Sequence, residues 1–504
     1  MAFVTTDGAT ESTSNPAPSP GGTSREDGGA SGTPEGLKKD VLGTASIAFI
    51  VVSAAAPLTI IAGIAPLAMS IGGVGTPSAY IIAGLVLALF AVGFMAMTKH
   101  VRALGGFYSY ISHALGKHAG LGAGLVAVVS YNALQIGLYG LLGVQATGAV
   151  AAFTGVDVPW WVFAGIAIGL VYFLGYRGID VGAKVLVVLL TVETLILLVL
   201  AVAVLAAGGA SGFTFDSFAP QNVFVPGVAA ILGFAFAAFM GFESSALYRE
   251  EARNPDRTVP RATYIAVGFM AIFYTFSIWI LVQAFGSADI VAVAGEHTAD
   301  LAFVAMQQYV GEWGVALMYV LIVTSVFASQ LAFHNAINRY TLSLSRDGVL
   351  PARLGTLHPT RLTPYVSGIV QSIVAIIIVG FFAVLGLDPY MQLLIWVNTP
   401  GVVGIIMLQT LTSVAVIVFF RRHRELARRW YVVPAAVLAT IALLAVTLLV
   451  TSTMELLTGS TDVLFNAILV AVTPTVFLVG VIAAAVIKRR RPEVYARIGG
   501  ITND

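Results

Sequence analysis

Two acidic residues stand inside otherwise apolar windows of this 504-residue chain. Glu193 lies in Leu190-Thr191-Val192-Glu193-Thr194-Leu195, and Glu243 closes Phe239-Met240-Gly241-Phe242-Glu243. A charged group at a bilayer centre costs on the order of 2.5–3.5 kcal/mol on insertion scales, so such residues mark proton or substrate paths. Both are candidate proton-coupling groups. The alternatives are a permanently paired or neutral Glu193 and a Glu243 that only anchors one span to another. Other polar side chains share helix faces: Gln330, His334 and Asn338 at i, i+4, i+8; Ser325 and Ser329; Asn132, Gln135 and Tyr139 at i, i+3, i+7. Asn132 and Gln135 contact either substrate or a neighbouring helix. Ser325 and Ser329 are candidates for a cation site or for interhelical bonding, and His334 for a satisfied interior histidine. The chain has no cysteine, no HExxH pair and no Cys/His cluster. Neither disulfides nor a metal site nor a cofactor is expected. No nucleophile–base set or nucleotide loop appears, so the residues describe binding and proton transfer and not an enzyme.

These groups need elements to hold them. The chain is 58% hydrophobic and 10% charged, with mean hydropathy +0.91. A soluble domain carries about 25% charged residues, so the class is all-α integral membrane. A net charge of +1 and the lack of a basic face exclude nucleic acid as a partner. Residues 1–36, rich in Gly, Ser, Thr and Pro, read as a disordered tail without a signal-peptide pattern. Residues 37–490 form the transmembrane domain and 489–504 a second tail. Twelve spans are expected: 41–71, 77–98, 118–151, 160–176, 182–207, 226–248, 261–286, 310–345, 365–386, 391–420, 432–456 and 462–488. A stretch from Gly105 to Leu115 is too short to cross and is expected to lie at the membrane face. All 26 Lys and Arg residues then fall on one side. The opposite loops carry only acids, among them Asp157, Asp216, Glu312, Asp388 and Asp462. The positive-inside rule places both termini in the cytoplasm of a multi-pass cell membrane protein.

Two spans are interrupted. Pro57, in Ala54-Ala55-Ala56-Pro57-Leu58-Thr59, has no N–H for the carbonyl four residues back, and its ring clashes there. Five spans later, Gly241 interrupts the sixth. An odd offset inverts the second half, giving a 5+5 inverted repeat (about 41–207 and 226–420) with two extra helices at 432–488. Paired broken spans point to a binding site at the repeat interface. Helix ends starting at a break present N–H groups to a carboxylate, and freed carbonyls suit an ammonium. The expected substrate contacts are Ala55, Ala56, Pro57, Leu58, Thr59 and Ile60 on the first break and Phe236, Ala237, Phe239, Met240 and Gly241 on the second. Leu58, Thr59 and Ile60 are the expected donors.

Gly241-Phe242-Glu243 with Glu250-Glu251-Ala252-Arg253-Asn254-Pro255 through Ala262 resembles the sixth-span signature of the amino acid–polyamine–organocation (APC) permeases. Gly105-Gly106-Phe107-Tyr108-Ser109-Tyr110 is similar to their loop after span 2, and Ser345-Arg346-Asp347-Gly348-Val349-Leu350-Pro351 to their loop after span 8. The resemblance implies a LeuT-like fold and amino acid or amine transport, often coupled to protons. It also implies that Glu193 stands where proton-coupled relatives carry a lysine. Two departures stand out: Ala56-Pro57-Leu58 replaces a frequent Gly-x-Gly, and Ala237 takes the place of an aromatic gate, with Phe236 and Phe239 beside it. The expectation is a secondary active transporter moving an amino acid by alternating access, with proton symport. An amine or polyamine carrier, an exchanger and, from another class, a channel are the alternatives.

Overall fold

The computed structural model describes residues 37–426 and 430–500. The expected tail at 1–36, the last four residues and the basic positions Arg428 and Arg429 lie outside them. The helices in order are α1 (Thr44–Ala55), α2 (Ala65–Gly72), α3 (Thr76–Thr98), α4 (Phe107–Leu115), α5 (Lys117–Thr154), α6 (Trp160–Arg177) and α7 (Ile179–Ala207). There follow α8 (Pro220–Val223), α9 (Val228–Ala238), α10 (Pro255–Phe285), α11 (Ile290–Glu296), α12 (Leu301–Tyr309) and α13 (Glu312–Arg346). The chain continues with α14 (Tyr365–Val384), α15 (Ile395–Arg422), α16 (Val432–Ser452), α17 (Met454–Thr458), α18 (Val463–Arg490) and α19 (Pro492–Arg497). No strand occurs among the described residues, where a single bridge joins Leu42 to Ala252.

Eleven described helical stretches are long and apolar enough to cross a membrane. The first, Thr44–Thr98, has 55 residues, well beyond the ~20 that one crossing needs. It turns at Gly73, whose φ of +70° suits glycine. Close packing fixes this turn, because a methyl at Gly75 would lie 2.0 Å from the Asn222 carbonyl oxygen. The expected twelve crossings follow if this stretch crosses twice. Long α5 packs on α13, α15 and α18, α10 on α3, and α1 on α7, α10 and α13.

The helix ends that carry Lys and Arg are tied together. Arg339 on α13 makes a bidentate ion pair with Glu251, at 2.7–2.9 Å, and both side chains are buried. Arg346 pairs with Glu250 at 3.0 Å. The Val41 and Leu42 N–H groups donate to the Glu251 carbonyl, and the Arg253 N–H to that of Leu42. The short helix α4, expected at the cytoplasmic membrane face, packs among protein side chains. Phe107, Tyr108, Tyr110 and Ile111 of α4 are buried, and Tyr110 and Thr98 share a 2.6 Å hydrogen bond. Tyr108 donates to Asp347 at 2.6 Å, and the same carboxylate oxygen accepts the Gly499 and Gly500 N–H groups.

Candidate functional site

The first break is a single residue. Helix α1 ends at Ala55, and Ala56 adopts φ +46°, ψ 76°, returning its N–H to Val52 and Ser53. Pro57 then restarts the helix, where its missing N–H is no loss. A six-residue π-helical turn, Thr59–Ile64, leads into α2. Loosened backbone at membrane depth needs protein partners, and α10 and α13 supply them. The Ser329 hydroxyl donates to the Ala54 carbonyl at 2.5 Å and Tyr274 to that of Ala55 at 3.3 Å. Ser325 Oγ accepts from the Thr59 N–H at 3.3 Å and from its hydroxyl at 3.1 Å. Of the three expected donors, Thr59 is therefore held by Ser325 and Ile60 returns its N–H to the Ala56 carbonyl. Leu58, the third expected donor, is buried at the start of the resumed helix.

The second break follows Ala238. Gly241 sits at φ +106° and opens a ten-residue 3-10 stretch, Phe242–Glu251. A Cβ at Gly241 would lie 2.7 Å from that of Ala54, so the two breaks touch. Glu243 accepts the Tyr131 hydroxyl at 2.5 Å and the Gly241 N–H at 3.3 Å. It joins α5 to the second break and is fully buried. Glu193, on α7, is also buried, and neither of its oxygens has a hydrogen-bond partner in good geometry. Ser325 and Tyr274, the groups that hold the first break, face it.

A cavity of about 100 Å³ lies where the breaks meet. From the first break and its continuation it is lined by Ala54, Ala55, Ala56, Thr59, Ile60 and Ile64, and from the second by Gly233, Phe234, Ala237 and Met240. Leu134 and Leu138 come from α5, Ser329 and Phe333 from α13, and Asn398, Thr399, Val402 and Val403 from α15 with Leu394 and Ile395 at its start. Val450 and Leu457 complete it.

The expected contacts separate accordingly. Ala55, Ala56, Thr59, Ile60, Ala237 and Met240 face the cavity, while Pro57, Leu58 and Gly241 are not among its lining residues. Asn132 bonds to the Val128 carbonyl of its own helix, and Gln135 to Tyr139 and the Gln330 carbonyl. Phe239 packs edge-on to Tyr274, away from the cavity, and Phe236 is buried outside the lining. Of the aromatics around the second break, the one that lines the cavity is Phe234, three residues before Ala237. Helical spacing from Ala237 picks out both Phe234 and Met240. His334 points to α6 and α14: Gln371 lies 2.7 Å from its Nδ1, and methyls at Gly175 and Gly368 would meet its Nε2 at 2.7 and 3.3 Å. Val450 and Leu457 carry no signal in the sequence that places them here. No group of three or more potential His, Cys or acidic metal ligands occurs among the described residues.

The chain is similar to known proteins. Residues 42–478 match the amino acid permease family. An uncharacterised transporter of Rhizobium meliloti (strain 1021) is 28% identical over 378 residues, covering 72% of this chain and 76% of its own. The branched-chain amino acid permease BcaP of Bacillus subtilis (strain 168) is 25% identical over 380 residues, covering 71% and 76%. A crystal structure of a mutant Eremococcus coleocola manganese transporter superposes with a TM-score of 0.58 at 13% identity, covering 90% of this chain and 98% of that one. The last likeness concerns the fold alone. With broken helices around an interior cavity and a family match across most of its length, this chain belongs to the amino acid permease family: a multi-pass, all-helical membrane transporter of LeuT-like fold, for amino acids or related substrates.

Proposed function

We propose that the chain carries an α-amino acid across the cell membrane by proton symport with alternating access, both termini in the cytoplasm. The substrate carboxylate lies on the Leu58 N–H end of the first break, where the helix dipole favours an anion. Its ammonium lies on carbonyls around 236–240. No acidic side chain lines the cavity, which argues against a polyamine.

The observation that carries the coupling is the state of Glu193. It is buried, without a hydrogen-bond partner in good geometry, and faces the residues that clamp the first break. Glu243, by contrast, is bound by Tyr131 and Gly241 and acts as an anchor. Protonation of Glu193 changes what Ser325 meets, and Ser325 holds Thr59 at the mouth of the second half-helix. Closure of the basic side by Arg339–Glu251 and its neighbours fits a state in which the cavity is shut to the cytoplasm.

Proteoliposome uptake of amino acids with and without an inward proton gradient tests this. Wild-type uptake rises with the gradient. Glu193→Gln keeps substrate exchange between the two sides but loses the gradient response. Uptake by Glu193→Gln that still follows the gradient removes Glu193 from the coupling.

A further inference from the structure

One wall of the cavity comes from outside the two expected repeats. Val450, in the last turn of α16, and Leu457, in the short helix α17, both line it. They reach it because α9 has no side chain at Gly233. A methyl there would stand 3.2 Å from Leu457 Cδ2 and 3.4 Å from Val450 Cγ2. Leu457 is firmly mounted. The Thr458 hydroxyl bonds Asn466 Oδ1 on α18 at 2.7 Å, and the Trp396 indole N–H on α15 donates to the Thr458 carbonyl at 3.3 Å. Met454 and Thr458, on either side of Leu457, are buried.

The polar side chains of the lining do not face a polar solute. The Thr59 hydroxyl donates to Ser325, Ser329 to the Ala54 carbonyl and Thr399 to the Ile395 carbonyl. The Asn398 amide nitrogen, in the orientation its neighbours require, meets the Ala133 and Leu134 carbonyls at 3.0 Å. Every hydrogen these side chains offer in the cavity wall is thus directed into protein, and no charged residue joins them. Size narrows the choice further. At about 100 Å³ the cavity is small against the ~300–1,000 Å³ of drug-sized ligand pockets, so a compact side chain suits it better than a bulky one.

Building on the amino acid reading above, we infer that the site selects aliphatic amino acids of valine or leucine size, and that Leu457 over Gly233 sets the upper limit. Valine, with three side-chain carbons, and leucine, with four, are favoured over phenylalanine, with seven.

The test is competition against labelled leucine in proteoliposomes, using alanine, valine, leucine, phenylalanine, tryptophan, lysine and glutamate. In the wild type, valine and leucine compete at least tenfold better than phenylalanine or the charged amino acids. Leu457→Ala improves phenylalanine relative to valine by about tenfold, and Gly233→Ala shifts preference toward alanine. Should Leu457→Ala lower the yield of folded protein, Leu457→Val gives a smaller shift of the same sign. Unchanged phenylalanine-to-valine ratios in all three variants overturn the size limit while leaving amino acid transport intact. Best competition by lysine or glutamate overturns the aliphatic class. If leucine is not taken up, and thermal shift of the wild type shows binding of none of the seven, both this inference and the amino acid reading fall.

Discussion

Replacing Gly241 by alanine tests whether the two breaks form one packed unit. The residue stands at φ +106°, and its new methyl would lie 2.7 Å from Ala54 Cβ. Two costs add. The left-handed region costs a non-glycine residue about 1–2 kcal/mol. Forcing a methyl into close-packed surroundings costs about 1–3 kcal/mol. Gly241→Ala is therefore expected to destabilise by about 2–5 kcal/mol. Only the second share depends on Ala54. Ala54→Gly alone costs about 0.5–1 kcal/mol through helix propensity. Combined with Gly241→Ala it removes the clash, so the double variant recovers about 1–3 kcal/mol against the sum of the singles. Unfolding free energies in mixed micelles, measured on all four proteins, give the coupling directly. Additive effects, or a Gly241→Ala protein as stable as the wild type, would refute direct contact between the breaks.

Two further outcomes follow from the same geometry. Tyr131→Phe deprives buried Glu243 of its 2.5 Å donor and should cost about 1–3 kcal/mol, measured by the same unfolding assay. It should leave the proton dependence of uptake unchanged. The His113 imidazole, on α4 outside the crossing segments, is held below its ordinary 6.5 by burial, and Lys117 adds to this, against the opposing pull of the Ser109 carbonyl and Asp347. The folded state thus prefers the neutral ring. Its contribution is fully present above pH 6.5 and is lost as pH falls through the lower folded value. The melting temperature should fall on acidification below 6.5, and His113→Gln should flatten that part of the curve.

The broken helices were legible because their cause is local. Pro57 cannot give an N–H, and Gly241 can take a backbone that other residues resist. Segment limits were legible for the same kind of reason: the expected 160–176 is Trp160–Arg177 in the structure. Other features lie beyond local rules. Phe236 and Phe239 stand beside Ala237 in sequence, but it is Phe234 that lines the cavity. The tight packing of α4 was not legible, because nothing around Tyr108 announces Asp347, 239 residues away. Val450 and Leu457 carry no periodic signal toward the cavity. Their place depends on an absent side chain at Gly233, which only the assembled fold reveals.

The buried Arg339–Glu251 pair has a thermal consequence. In the alternating-access reading proposed above, a state that opens the basic side of the cavity returns these two charges to water. Hydration of charged groups becomes less favourable as temperature rises. Warming therefore favours the sealed form and cooling the open one, opposite to the loosening usually expected of heat. On the same alternating-access reading, the balance between the sealed and open forms is set partly by how strongly water, at the temperature of growth, competes for one arginine and one glutamate.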